Sequence, residues 1–128
     1  MKMHAPASRH SIHVALLLSL AFATVASAAE RVPVASVKPL LLAALERGEA
    51  HGELIGDAAS FMRGRFGSTA PIEIDVRAIG QLRQAGCQRL EVTTRQDAVR
   101  EARDQPSTRK ELVYQVSYCR DGRFPEVK

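Results

Sequence analysis

Three sets of side chains in this 128-residue chain are of types that could do chemistry. His51 lies between Glu49 and Glu53, carboxylates able to orient an imidazole for proton transfer. Glu73 and Asp75 occupy one side of an alternating segment, where their carboxyls would stand about 7 Å apart, a spacing that suits paired acids. Cys87 and Cys119 are the two cysteines. Each set has a plainer reading that outweighs the chemical one. His51 sits in a glycine-rich stretch, and the other histidines, His4, His10 and His13, all fall in the first 13 residues. A metal site or proton relay at His51 therefore lacks partners. Any amphipathic strand yields a Glu-x-Asp pair, and the cysteines lack the Cys-x-x-Cys spacing of a redox disulfide. The expectation is a non-enzyme with no catalytic residue, no metal site and no cofactor.

The elements that must position these residues begin after an export signal. Residues 1–28 combine a basic start (Lys2, Arg9), an apolar run from Val14 to Val25 and the small-residue site Ala26-Ser27-Ala28. Cleavage is expected before Ala29, leaving residues 29–128 as a single exported domain. An uncleaved membrane anchor is the competing reading, because residues 12–29 carry no charge. The Ala-x-Ala ending and the lack of a following Lys/Arg cluster favour cleavage, so no membrane span is expected afterwards. No cysteine just past the site offers a lipid anchor.

Losing Lys2 and Arg9 takes the basic residues from 18 to 16 against 14 acidic ones, so the net charge falls from +4 to +2. The remaining charges alternate in sign along the chain, and no basic stripe exists to follow a phosphate backbone, which disfavours nucleic acid as a partner. An even cysteine pair in a small exported domain implies a structural disulfide between Cys87 and Cys119. It would close a loop of about 33 residues and stabilise the fold by about 3–4 kcal/mol in the chain-entropy model.

Residues 29–35 carry Pro33 and no helical period, and read as an extended arm. A helix follows, with Ser36 as cap, Pro39 in its first turn and Leu40, Leu41, Leu42, Ala43, Ala44 and Leu45 as strong formers. Gly48, Gly52 and Gly56 then recur every fourth residue. Either they form a small-residue ridge on one long helix from Val37 to Arg63, or residues 48–52 are a turn between two helices, the second from Glu53 to Arg63 with Leu54, Ala58, Phe61 and Met62 inward. The hairpin is favoured, because each interior glycine costs about 1 kcal/mol.

After a loop at Gly64–Pro71 the period becomes two. Ile72, Ile74 and Val76 alternate with Glu73, Asp75 and Arg77 as a strand. A short helix fits Ala78–Ala85, with Gly86 as its stop. Strands are expected at Arg89–Thr94 and Leu112–Cys119. If Cys87 faces Cys119 in an antiparallel pair, then Leu90 faces Val116, Val92 faces Tyr114 and Thr94 faces Leu112, all on one face. Residues 96–105 read as a short surface helix or loop. The expected fold is thus α+β, a helical hairpin followed by a three-stranded sheet with one short helix and one disulfide.

Two surfaces are candidates for protein contact: the glycine series Gly48, Gly52, Gly56, and the C-terminal Tyr118, Arg120, Arg123 and Phe124, since exposed Tyr, Arg and Phe anchor interfaces. Packing of Tyr118 and Phe124 against the disulfide is the plainer reading of the second.

The phrases Gly86-Cys87-Gln-Arg-Leu90 and Tyr114-Gln-Val-Ser-Tyr118-Cys-Arg-Asp-Gly-Arg-Phe-Pro125 resemble small exported proteins encoded in conjugative transfer clusters. The likeness covers about the last half of the exported part. It implies a periplasmic accessory of a type IV secretion apparatus working through contacts with envelope proteins, and it carries over no catalytic residue. The alternative is a secreted inhibitor or binding module directed at an enzyme outside the cytoplasm.

Overall fold

The structure is a computed structural model and describes residues 30–127; the expected signal segment, with its cleavage site or anchor, lies outside the described residues. The elements run β1 (Val32–Val34), α1 (Lys38–Arg47), β2 (Glu49–Leu54), α2 (Gly56–Phe66), β3 (Ile72–Gln81), β4 (Cys87–Val99) and β5 (Thr108–Cys119). The five strands lie side by side in chain order. β1 and β2 are parallel and joined across α1, while β2 to β5 form an antiparallel meander.

This overturns the expected helical hairpin with a three-stranded sheet. The described residues form a five-stranded mixed sheet with two helices. Residues 49–54 decide the difference. Ala50, Gly52 and Leu54 are buried while Glu49, His51 and Glu53 point the other way, so the segment follows the period of a strand rather than making a turn. The second helix consequently starts at Gly56 instead of Glu53; Ala59 is buried and Met62 packs on the core, whereas Phe61 is 72% exposed. The expected helix at 78–85 is absent because β3 continues to Gln81 and turns through residues 82–86 into β4. Gly86, at φ +76°, serves that turn. Residues 96–99 likewise extend β4, past a register shift between Gln96 and Val99.

The first helix keeps its expected place with a different start. Val37, not Ser36, is at the cap and makes no side-chain cap bond, Pro39 lies in the first turn where no N–H is required, and Gly48 at φ +88° ends the helix with its N–H on Ala44 O at 2.8 Å.

Both helices pack on one side of the sheet. Leu40, Leu41, Ala44 and Leu45 of α1 and Ala59 of α2 join Ala50, Leu54, Ile72, Ile74, Val76, Leu90, Val92 and Tyr118 in one core. Burying a side chain such as Leu90 or Ile72 fully contributes about 1.5–3 kcal/mol. Gly52 is required by this packing: a Cβ there would stand 2.7 Å from Leu40 Cδ1. The disulfide Cys87–Cys119 is present, and β4 and β5 pair Cys87 with Cys119, Leu90 with Val116, Val92 with Tyr114 and Thr94 with Leu112, the register that the crosslink and the apolar pattern together imply. Among the described residues no helix is long and apolar enough to cross a membrane.

Candidate functional site

The sheet side away from the helices collects every second residue of β2 to β5. Alternation places Glu73, Asp75 and Arg77 there because Ile72, Ile74 and Val76 face the core. Strand pairing then sets His51 opposite Asp75 and Arg95 opposite Glu73, with Glu111 beyond Arg95. Arg31, just ahead of β1, reaches over the same face.

Asp75 is the centre of this network. Its Oδ1 accepts a hydrogen bond from His51 Nδ1 at 2.7 Å and one from Arg31 Nη1 at 2.9 Å, and its Oδ2 accepts from Arg95. The cations are themselves shared. Arg31 lies 3.4 Å from Glu73, and Arg95 Nε donates to Glu111 Oε2 at 2.7 Å. His51 Nε2 points toward Glu49 at 3.9 Å, and Arg77 pairs with Glu91 at 2.8 Å. A shallow groove of about 380 Å³ runs over these groups, floored by His51, Asp75, Thr93 and Arg95 and bounded by Glu111 and Val113.

Burial is the largest single influence on Asp75 and opposes its charge. The hydrogen bonds from His51, Arg31 and Arg95, with the charge of Arg31, outweigh it and hold the carboxyl at about 2 instead of 3.8. Arg95 is raised above its ordinary value, first by its bond to Glu111 and then by Asp75, against the effect of desolvation.

These values decide what the site can do. At neutral pH Asp75 is ionised and engaged by three donors, so it has no proton to give as an acid. Asp75 orients His51, as a second carboxylate would in a relay, but among the described residues no Ser, Thr or Cys side chain bonds to His51. The described residues also contain no group of three or more His, Cys, Asp or Glu placed to hold a metal ion. What the arrangement supplies is a lattice of alternating charge on a sheet face that none of the described elements covers.

The glycines singled out by spacing fall at three unlike places and share no surface. Gly48 ends α1, Gly52 is buried beneath Leu40, and Gly56 opens α2 at φ +77°. In the C-terminal set, Tyr118 is buried, donates to Gly122 O at 2.8 Å and meets Phe124 edge-on at 5.4 Å, while Arg120, Arg123 and Phe124 are exposed. The structure adds Arg31, Arg95 and Glu111, which sequence reading did not select. The available signal was the alternation Glu49-Ala-His51-Gly-Glu53-Leu, which as a strand puts His51 on the polar side with its register partner still to be found.

Compared with protein families, with curated proteins and with solved structures, the chain matches none.

Proposed function

We propose that this protein is a non-enzymatic, protein-binding accessory working in the periplasm at a conjugative type IV secretion apparatus. The observation that carries the binding reading is the face of β2 to β5 that no described element covers, where cross-strand ion pairs hold His51, Asp75, Arg95 and Glu111 around a shallow groove. Charged groups that are ordered before contact give a partner register and specificity at little further entropic cost. The alternation of sign suits a protein surface of mixed charge better than a polyanion.

The disulfide supports a location outside the cytoplasm, since such bonds persist in oxidising compartments. The ionised, fully engaged Asp75 supports a role without acid–base chemistry. The conjugative setting rests on the resemblance of the two cysteine-centred phrases.

Deleting the gene in a host carrying its conjugative element should lower DNA transfer, and the tagged protein should co-purify with envelope components of the apparatus. Unchanged transfer would overturn the conjugative role. Recovery of one tight soluble enzyme instead would establish the inhibitor reading, which the compact disulfide-pinned sheet also suits.

A further inference from the structure

We infer that β5 is a dimerisation edge, along which a second copy of this chain adds its own β5 in antiparallel fashion to make a continuous ten-stranded sheet. β5 is the outer strand of the sheet, and it is long, running from Thr108 to Cys119. Cys119 fixes which of its residues face outward. Its N–H bonds to Arg123 O and its C=O accepts from Gly122 N, both outside the sheet. In an antiparallel ladder the outward positions recur every second residue, so Ser117, Gln115, Val113 and Glu111 also direct their backbone groups away from β4. Pairing with β4 keeps one register from Cys119 to Lys110, so the alternation is not interrupted there. Among the described residues nothing bonds to those outward groups.

Natural edge strands are normally shortened, charged or covered. The middle of β5 is none of these: Leu112 is 62% exposed, Val113 50% and Tyr114 40%. The charges Arg109, Lys110 and Glu111 are gathered at one end, and Gln115, Val116 and Ser117 at the other are uncharged. Such a polar gradient is what a two-fold antiparallel seam accommodates, because each strand's charged end then lies against the other's neutral end.

The register follows from matching faces. A two-fold axis normal to the sheet keeps both pairs of helices on one side and pairs outward residues with outward residues. With the axis at Val113, Val113 faces its own copy, Leu112 faces Tyr114 of the second copy on the helix side, and Glu111 faces Gln115. No like charges are opposed. With the axis at Leu112, Lys110 would oppose Tyr114 and Glu111 would oppose Val113; with the axis at Glu111, two carboxylates would meet. The Val113 register gives three outward pairs exchanging about six backbone hydrogen bonds. A seam of one strand lies at the small end of specific interfaces, so the dimer should dissociate on dilution through about the micromolar range.

Sedimentation velocity on the oxidised protein tests this. Wild type should pass from monomer to dimer as concentration rises. Val113→Pro removes an outward N–H without breaking a bond to β4, and should leave a folded monomer. Val113→Lys and Val113→Glu should each be monomeric alone, because the residue opposes itself, and an equimolar mixture should restore the dimer. A wild-type protein that stays monomeric up to several hundred micromolar, or charge variants that dimerise alone as well as wild type does, would overturn the inference. Circular dichroism confirms that each variant is folded, and the mixture supplies its own control, since neither component could rescue the other unless both were folded.

Discussion

Replacing Asp75 by Asn should destabilise the protein at neutral pH and leave it nearly unaffected near pH 2. The substitution keeps the shape but removes the one charge on which Arg31, His51 and Arg95 converge. A carboxyl held at about 2 rather than 3.8 corresponds to roughly 2 kcal/mol of folding free energy once ionised in both states. The side chain retains 22% of its surface in water, where screening reduces the effect, so about 1–2 kcal/mol is expected. The sign follows from the lowered value. The contribution is complete above about pH 4, declines as pH falls through the interval from 3.8 to about 2, and is gone below it. Urea unfolding followed by circular dichroism at pH 7 and at pH 2 measures it for both proteins. The two should differ by about 1–2 kcal/mol at pH 7 and converge at pH 2. An equal gap at both pH values would mean that packing, and not the ion network, accounts for the loss; no gap at pH 7 would mean that the network does not stabilise the sheet.

Gly52→Ala should cost about 1–3 kcal/mol, because the new methyl would lie 2.7 Å from Leu40 Cδ1 and 3.1 Å from Val32 O; a thermal melt no lower than wild type would show that α1 is not seated tightly on β2. Leu90→Ala, at a fully buried position, should cost about 2–5 kcal/mol in urea unfolding, against less than about 1 kcal/mol for the exposed Ile79→Ala. Replacing Cys87 and Cys119 together by Ser should lower stability by about 3 kcal/mol, read as a fall in the urea midpoint, and an unchanged midpoint would remove the disulfide from the account of the fold.

The C-terminal half was legible because two independent signals coincided there. The alternation of Leu90, Val92 and Thr94 and of Leu112, Tyr114 and Val116 specifies faces, and the cysteine pair specifies the register between them. The N-terminal half misled because residues 49–54 contain no β-branched residue and include glycine at position 52, so local preference opposed the strand. Tertiary packing reversed that preference: Gly52 lies beneath Leu40, where a Cβ would stand 2.7 Å from Leu40 Cδ1. A short helix fits Ala78–Ala85 in the sequence, but pairing of Ala78 with Leu90 and Gln81 with Gln88 holds residues 78–81 extended, and the chain then turns through 82–86 into β4. The Asp75 cluster draws on β2, β3, β4 and the residue ahead of β1, so its members become neighbours through strand order. The spacing of Glu73 and Asp75 was visible in the sequence; the cations that fix Asp75 in its ionised form were not.

Binding through the open sheet face is tested most directly by photo-crosslinking in living cells. A crosslinking amino acid at Thr93, on the groove floor, should yield an adduct with an envelope protein, and the same group at Ser60, exposed on α2 at the opposite side, should not. No adduct from Thr93, or the same adduct from both positions, would contradict the account.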